Sequence, residues 1–260
     1  MIIGRDISVV IPVLNEKENI DPLLHEFDSV VTDHGLNQIQ EIIFVDDGSS
    51  DGTVDAIRRN SGRHAFSVKV VERTTKLGTV NATIAGCKVA NSDALIVMDA
   101  DLQHPPCVIL EMARRMHEGQ DLIVASRHVH GGRNVWKPLR GVISRVAIFI
   151  SYILIPSARN IKDPTSGFFM AKKDLLVNLP PLKKRAKILL YVLAASQAAK
   201  ALEIPYTFVD RKNGKSKIVG LNSSFVLNYL IEVLGYMKLA RRRGLPSSKA
   251  SSISTPNIHE

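Results

Sequence analysis

Residues Ala94–His117 read ALIVMDADLQHPPCVILEMARRMH, and they predict a strand, a short polar loop and a helix in direct succession. The apolar run Ala94–Met98 has the length of a buried strand. A helix is predicted over Pro105–His117, because proline suits the first turn of a helix. Between the two elements lie Asp99 and Asp101, which a buried strand would not carry. The stretch therefore predicts a strand–helix unit whose strand ends in acids.

The same alternation of strand and helix runs through the first two-thirds of the chain. Apolar side chains from Ile20 to Val31 fall on one face of a helix, and Asn15 with Glu18 has the spacing of a helix-capping pair. Short apolar strands separated by helices predict an α/β fold with a mostly parallel sheet covered on both faces. Further strands are predicted at Ile7–Pro12, Glu41–Val45, Val68–Glu72 and Leu122–Ala125, and further helices through Arg58 and at Leu77–Val89.

The composition is that of an ordinary globular protein: 260 residues, of which 45% are hydrophobic and 23% are charged. Cys87 and Cys107 form neither a metal-binding spacing nor a disulfide framework, which favours a reducing compartment. The apolar run at the amino terminus is too short to predict a signal peptide. The net charge of +9 favours an acidic partner, namely nucleic acid, an anionic membrane or a phosphorylated substrate.

Two predicted strands end in paired acids, Asp46-Asp47 and Asp99/Asp101. In a parallel α/β sheet, ligands bind beyond the carboxyl ends of the strands. The alternation of side chains along extended chain would place Asp99 and Asp101 on one side, where they could share Mg²⁺ or Mn²⁺. The alternative is that each acid pair caps a turn or a helix start. The presence of two such pairs at two strand ends favours a ligand site.

Several motifs carry a resemblance to a known family. The stretches VVIPVLNEKENI, EIIFVDDGSSDGT, LIVMDADLQHPP and IKDPTSGFF resemble the family-two glycosyltransferases of the GT-A fold. The stretches SRHVHGGRNVWKPLRGVISRVA and FVDRKNGKSKIVG are similar to those of the dolichol-phosphate mannose synthases and other polyprenol-phosphate glycosyltransferases. The resemblance covers residues 7–220. It implies a GT-A, Rossmann-like sheet and a sugar nucleotide as substrate, with GDP-mannose as the donor in the most similar members.

The resemblance implies roles for individual residues. Positions that hold the nucleotide are matched by Pro12, Glu16, Asp47 and Asp99. Positions that hold a divalent cation, Mg²⁺ or Mn²⁺, are matched by Asp99, Asp101 and Gln103. Positions that bind phosphates of the donor or of a dolichyl (polyprenyl) phosphate acceptor are matched by Arg127, Arg140, Ser144, Arg211 and Lys217. The residues expected to carry catalysis are Asp99, Asp101, Arg127 and Arg211.

The implied reaction is a single displacement with inversion at the sugar. Arginine suits phosphate binding because its planar fork stays charged and meets two oxygens at once. The acceptor phosphate is already ionised near neutral pH, since its second pKa is about 6. We therefore expect the acid pairs to serve the metal and the nucleotide rather than proton transfer.

Two stretches are too apolar for a free surface, although neither reaches the roughly 20 apolar residues of a spanning helix. Leu139–Ile155 and Ser224–Leu239 predict apolar helices, and Arg241–Arg243 follow the second. Such helices suit an anionic bilayer interface, and the alternative is packing on the domain or on a membrane-anchoring partner subunit. We expect a catalytic domain (1–220, including the interfacial helix 139–155), a membrane-associating or partner-binding helix (221–243) and a disordered tail (244–260), located at the cytoplasmic face of a membrane.

Three other functions deserve comparison with mannose transfer. A polyprenol-phosphate glucosyl- or N-acetylglucosaminyltransferase would use a UDP-sugar, and the sequence does not separate donors well. A non-catalytic sugar-nucleotide-binding subunit is suggested by Tyr191, which stands where relatives commonly carry a carboxylate. Nucleic-acid binding is disfavoured, because aromatic residues make up only 5% of the chain and do not alternate with basic ones.

Overall fold

The computed structural model describes residues 6–134, 138–179, 187–196, 199–209, 229–231 and 233–236. Strands and helices alternate along them, as the sequence predicts. The strands are β1 (Ile7–Val13), β2 (Ile39–Asp46), β3 (Ser67–Glu72), β4 (Ala94–Val97), β5 (Leu122–Ser126), β6 (Arg133–Asn134), β7 (Phe169–Lys172), β8 (Ala201–Pro205) and β9 (Thr207–Phe208). The helices are α1 (Lys17–His34), α2 (Thr53–Asn60), α3 (Thr79–Val89), α4 (Val108–His117), α5 (Pro138–Leu154), α6 (Asp174–Val177) and α7 (Ile188–Ala195).

Within these residues, seven strands form one sheet in the order β3-β2-β1-β4-β7-β5-β8. Neighbouring strands pair in parallel except at β7, which runs antiparallel to both β4 and β5. The predicted mostly parallel sheet is confirmed. As a result, β1, β2, β3, β4, β5 and β8 all end at one edge, here called the carboxyl edge, and the chain enters β7 from the same edge.

The sheet is buried on both faces, because successive side chains of a strand point to opposite sides. In β1, Val9 belongs to the core that α1 and α4 cover, whereas Val10 belongs to the core that α3 and α7 cover, and both are fully buried. The second core also takes in Val233 and Tyr236. The described part of the predicted helix 221–243 thus packs against the catalytic domain.

Several predicted boundaries move by one to three residues. The strand predicted to reach Met98 ends at Val97, and the helix predicted from Pro105 begins at Val108. The predicted capping pair of Asn15 and Glu18 is wrong, since α1 begins after Glu16 without a side-chain cap. Asn15 instead binds the loop that follows β2: its side-chain oxygen accepts a hydrogen bond from the backbone N–H of Ser50 at 2.9 Å.

Helix α3 lies unusually close to the sheet at Gly86. A Cβ atom at this position would lie 2.5 Å from Cγ1 of Val10 and 2.7 Å from Cγ2 of Val45. Both contacts are shorter than real carbon–carbon contacts, and both partners are buried, β-branched side chains with little freedom to move. The absence of a side chain at Gly86 therefore sets how closely α3 approaches β1 and β2.

We expect Gly86→Ala to lower the free energy of unfolding by about 1–3 kcal/mol, because overpacking outweighs the gain in helix propensity. The measurement is urea unfolding followed by circular dichroism. Gly235→Ala is the matched control: this glycine also lies in a helical segment, but a Cβ there would have nothing within 4 Å. Equal stability of the two variants would show that α3 and the sheet can accommodate a side chain at Gly86.

Candidate active site

The loop after β2 begins with Asp46, whose carboxylate closes the loop on itself. It accepts hydrogen bonds from the backbone N–H of Gly48 at 3.0 Å and of Ser49 at 3.0 and 3.2 Å. Gly48 has φ +89°, a conformation that favours glycine. Asp46 is thus occupied in shaping the turn, as the alternative interpretation of the acid pairs predicts.

Asp47, the second acid of this pair, is buried and holds the start of α3. Its carboxylate accepts hydrogen bonds from the backbone N–H of Leu77 at 3.3 Å and of Gly78 at 2.9 Å, and it pairs with Nη1 of Arg73 at 2.9 Å. A carboxylate at a helix start satisfies free N–H groups and complements the helix dipole. The capping interpretation therefore describes Asp47 as well, and its predicted contact with a nucleotide stays a prediction.

Pro12 and Glu16 lie beside this loop at the carboxyl end of β1. Pro12 is half-buried and faces Val45 in the strand register. The Glu16 carboxylate accepts a hydrogen bond from the side-chain amide of Asn19 at 2.7 Å, and the Glu16 N–H donates to Thr53 Oγ1 at 3.0 Å. Three of the four residues predicted to hold the nucleotide, Pro12, Glu16 and Asp47, thus share one part of the edge.

The predicted metal-binding residues lie in a compact loop after β4. Because the strand ends at Val97, the alternation of side chains along extended chain does not reach Asp99 and Asp101; the loop itself places them. Asp101 accepts a hydrogen bond from the backbone N–H of Gln103 at 3.2 Å, and Leu102 has a left-handed φ of +61°. The side-chain amide of Gln103 donates to the carbonyl of Val209 at 3.0 Å, which ties the loop to the segment after β9.

The donors in this loop fit a hard divalent cation. Two carboxylates and an amide oxygen are ligands that Mg²⁺ and Mn²⁺ accept. A Cβ at Gly167 would lie 3.1 Å from Oδ2 of Asp99, so this glycine keeps the space beside that carboxylate clear. Among the described residues, no group of three or more histidine, cysteine or acidic side chains is arranged to hold a metal. Mg²⁺ in proteins usually keeps waters and takes substrate phosphate oxygens beside one or two carboxylates, which suits the donors of this loop.

His104 closes the same loop and is a site residue that the sequence reasoning missed. Its ring is 2% exposed, and its Nδ1 accepts a hydrogen bond from the backbone N–H of Asp99 at 3.1 Å. Burial lowers the pKa of His104 to about 4, so the ring is neutral at pH 7. Since Nδ1 is the acceptor, the proton of the neutral ring is on Nε2. The motif DADLQHPP contains this residue, but its spacing alone does not indicate the contact.

Arg127 follows β5 and is paired with a buried acid, Asp163. Nε and Nη2 of Arg127 each lie 2.7 Å from an oxygen of the Asp163 carboxylate, and the Arg127 backbone N–H donates to it at 3.1 Å. The guanidinium also lies over the ring of Phe208, 5.4 Å from its centroid. A bidentate contact with phosphate through the Nε–Nη2 edge would therefore require the pair to separate.

The pair is electrostatically coupled to the metal-binding loop. Burial alone would raise the pKa of the Asp163 carboxyl, but Arg127 holds it below its usual range. Burial likewise works against the charge of Arg127, while Asp163 and, more weakly, Asp99 raise the pKa of the guanidinium. Asp99 and Arg127, two residues predicted to be catalytic, are therefore close enough to interact.

The segment from Asp163 to Gly167 joins these two parts of the site. Glu203 on β8 accepts hydrogen bonds from the backbone N–H of Lys162 at 2.7 Å and of Asp163 at 2.9 Å. The hydroxyl of Ser166 donates to the carbonyl of Ala125 at 2.8 Å. One short segment is thus fixed to β5 and β8 and ends beside Asp99.

The remaining predicted residues are placed less completely. Ser144 is half-buried on α5, and Arg140 lies on the same helix, with its side chain outside the described part. Arg211 and Lys217 lie outside the described residues. Tyr191 on α7 is buried and stacks on Tyr236 with ring centroids 5.2 Å apart, so its side chain faces the core.

Comparison with known proteins adds independent information. Residues 8–179 match the family described as Glycosyl transferase family 2. The chain is 39% identical over 235 residues to dolichol-phosphate mannosyltransferase from Pyrococcus furiosus, covering 89% of this chain and 64% of that protein. It is 31% identical over 233 residues to dolichol-phosphate mannosyltransferase from Saccharomyces cerevisiae, covering 86% of this chain and 84% of that protein. The chain therefore spans less than two thirds of the archaeal relative.

A solved structure shows the same fold. It is glucosyl-3-phosphoglycerate synthase from Mycobacterium tuberculosis in complex with Mn²⁺, uridine diphosphate and glucosyl-3-phosphoglycerate. The TM-score is 0.65 at 22% sequence identity, and the match covers 94% of this chain and 82% of that one. The predicted GT-A-like fold is confirmed.

We expect Arg127→Ala to lower the free energy of unfolding at pH 7 by about 3–5 kcal/mol, because it leaves the buried Asp163 carboxylate unpaired. Urea unfolding measures this loss. Lys172→Ala is the control, since it removes the partner of Asp121 in a more exposed ion pair and should cost at most about 1 kcal/mol. Similar losses in both variants would contradict a special role for the buried pair.

The stability of the wild type and that of Arg127→Ala should also depend on pH in opposite ways. In the wild type the pKa of Asp163 is lowered, so its stabilising contribution is present above the unfolded value of about 3.9 and is lost as the pH falls through the folded pKa. In Arg127→Ala, burial without a partner raises this pKa above the unfolded value. The stability deficit of the variant should therefore shrink between pH 7 and about pH 4, as urea midpoints at several pH values would show. A deficit that grows on acidification would contradict the pairing.

Proposed function

Because the chain belongs to glycosyl transferase family 2, we propose that it transfers mannose from GDP-mannose to dolichyl (polyprenyl) phosphate, with inversion at the anomeric carbon. The observation that carries the proposal is that one short segment at the carboxyl edge binds Arg127 through Asp163 and ends at Gly167 beside the Asp99 carboxylate. This segment therefore connects acids suited to a metal with a guanidinium that is paired to Asp163. Two relatives of this chain carry the name dolichol-phosphate mannosyltransferase, which supports mannose and a lipid phosphate as substrates.

Different loops of the carboxyl edge are proposed to bind different parts of the donor. The β1 and β2 loops, with Pro12, Glu16 and Asp47, face the nucleotide. The loop with Asp99, Asp101 and Gln103 would hold Mg²⁺ or Mn²⁺, and the mycobacterial structure of the same fold contains Mn²⁺ with uridine diphosphate. The cation would neutralise charge that builds up on the departing diphosphate.

The acceptor is activated by its own charge. A phosphate oxygen that is ionised near pH 7 attacks without a general base, and attack opposite the leaving diphosphate inverts the sugar carbon. Arg127 supplies positive charge from the side of β5, while Arg140, Ser144, Arg211 and Lys217 are proposed to complete the phosphate contacts. His104 is buried and its Nδ1 already accepts the Asp99 N–H, so it is not given the role of a base toward the acceptor in this scheme.

The test is transfer of labelled sugar into the lipid phase. The protein is incubated with dolichyl phosphate, Mn²⁺ and, in separate reactions, radiolabelled GDP-mannose, UDP-glucose and UDP-N-acetylglucosamine. We expect label in the organic extract only from GDP-mannose. Transfer only from a UDP-sugar would reject the mannose assignment, and transfer from none of them would favour the sugar-nucleotide-binding subunit.

We expect Asp99→Ala and Asp101→Ala each to reduce mannose transfer by about 100-fold or more, since each removes a negative charge from the cation site. Initial rates measured over a series of Mn²⁺ concentrations give the effect. Asp33→Ala is the control, because this acid is exposed in the last turn of α1, at the opposite end of that helix from the carboxyl-edge loops. Wild-type turnover of either site variant at every Mn²⁺ concentration would overturn the assignment.

A lipid acceptor requires a route to the membrane, and we propose that an apolar face on α5 provides it. Val146, Phe149 and Ile153 lie on one side of α5 and are 45%, 64% and 56% exposed. Ser151 lies on the opposite side, and its hydroxyl is 2.8 Å from the hydroxyl of Tyr229 on the C-terminal helical segment. Among the described residues, no helix is long and apolar enough to cross a membrane.

The C-terminal segment extends this proposal. Ile231 and Leu234 are 43% and 51% exposed, opposite the buried Val233 and Tyr236. An apolar helical surface of this kind suits a bilayer interface, and the net charge of +9 suits anionic lipid. We place the protein at the cytoplasmic face of the membrane, which the lack of a disulfide framework in its two cysteines supports. A membrane-anchoring partner subunit is the alternative occupant of the same surface.

We expect Phe149→Glu to weaken binding to vesicles by about tenfold or more, since burial of a phenylalanine is worth about 1.5–3 kcal/mol. Cosedimentation with vesicles of phosphatidylcholine and phosphatidylserine measures the binding. Val89→Glu is the control, because Val89 is a similarly exposed apolar residue at the far end of α3. Wild-type protein that stays in solution with these vesicles would favour a partner subunit as the occupant.

A further inference from the structure

His104 accepts a hydrogen bond from the residue that begins the metal-binding loop. The backbone N–H of Asp99 donates to Nδ1 of His104 at 3.1 Å, so the ring closes a loop of six residues. The left-handed turn at Leu102 reverses the chain and allows this return. Without an acceptor at Nδ1, the loop would lose the contact that fixes the backbone of Asp99.

The ring itself is held from several sides. It stacks on Phe168 with centroids 5.2 Å apart and an interplanar angle of 18°. The rings of Tyr206 and Phe208 meet it edge-on at 6.1 and 5.8 Å. This packing holds the ring in one orientation. Its Nδ1 is therefore held in the position where it accepts the Asp99 N–H.

The ring and the Asp99 carboxylate also share the space over Gly167. A Cβ at Gly167 would lie 3.3 Å from Cε1 of His104 and 3.1 Å from Oδ2 of Asp99. The carboxylate oxygen thus lies beside the ring that holds its own backbone. A displacement of the ring would move the backbone of Asp99 and the space around its carboxylate together.

We propose that His104 is a positioning residue for the cation site: it holds the backbone of Asp99 so that the carboxylate points to the ion. This inference rests on the proposed function, because it requires the 99–103 loop to bind a divalent cation. His104 acts through Asp99 and does not contact the substrate. Groups that orient the ligands of a metal typically contribute 10–100-fold to its affinity.

The competing explanation is that His104 only fills the core. The chain contains a natural comparison in His64, whose ring stacks on Phe66 at 5.1 Å and whose Nδ1 lies 2.8 Å from the carboxylate of Asp28. This second histidine is packed and bonded in a similar way but lies on the α1 side of β3. Separate replacement of His104 and of His64 distinguishes an effect on the cation site from a general effect of losing a packed histidine.

The experiment measures Mn²⁺ binding directly, by the loss of the electron paramagnetic resonance signal of free Mn²⁺, with GDP present. His104→Phe keeps a stacked ring but removes the acceptor. His104→Asn removes the ring but keeps an oxygen near the position of Nδ1. We expect His104→Phe to raise the Mn²⁺ dissociation constant by about tenfold or more, His104→Asn to recover at least part of this loss, and His64→Phe to match the wild type.

The outcomes are distinct. Wild-type Mn²⁺ affinity in His104→Phe would overturn the proposal, and together with a loss in His104→Asn it would indicate ring packing alone. Equal losses in the two variants would also overturn it, because an acceptor restored by asparagine would then have no effect. If His104→Phe does not fold, His104→Asn decides: near-wild-type affinity supports the acceptor role, and a loss of tenfold or more rejects it. If the wild type binds Mn²⁺ but transfers no mannose, the proposed function fails separately; if it binds no Mn²⁺, both fail.

Discussion

The buried ion pair between Arg127 and Asp163 is the interaction on which the arrangement of the candidate site depends. It joins the end of β5 to the segment that enters β7, the strand that reverses direction within an otherwise parallel sheet. Burial of two charges costs several kcal/mol for each ion, and here three hydrogen bonds with good geometry offset that cost. Since Gly167 at the end of the same segment lies beside Asp99, the pair also fixes one wall of the proposed cation site.

The two acid pairs of the sequence illustrate how a carboxylate can have more than one use. Asp46 shapes its own turn, and Asp47 meets a helix start and Arg73, so local hydrogen bonds account for much of their accepting capacity. Asp99 and Asp101 differ, because they lie in the loop that His104 closes, where Gly167 leaves space beside Oδ2 of Asp99. The two pairs looked equivalent as sequence patterns, and only the geometry separates a framework role from a site that a cation fits.

The sequence patterns predicted those features that depend on residues close together in the chain. Apolar runs such as Ala94–Val97 and the helical spacing from Ile20 to Val31 indicated the layers, and the acids that follow the strands indicated the functional edge. The roles of side chains that bond to residues distant in the chain were not predictable in this way. Arg73, Asp163 and His104 acquire their roles from contacts with Asp47, Arg127 and a ring cluster that includes Phe168 and Tyr206. The short strand β7 carries no pattern that reveals its antiparallel insertion between β4 and β5. The capping pair failed for the same reason, because Asn15 found a partner in the neighbouring loop.

The insertion of β7 has a consequence for the order in which the chain becomes protected during synthesis. The half of the sheet formed by β1 to β4 is complete in sequence before α4 and β5 emerge, yet β4 pairs on its second side only with Phe169–Lys172. Until that segment leaves the ribosome, β4 presents an unpaired row of backbone N–H and carbonyl groups, which is a template for misassociation. A nascent chain stalled before β7 would therefore expose an unpaired edge strand on an otherwise formed half-sheet. Chaperones that shield strand edges would be needed longest at that stage.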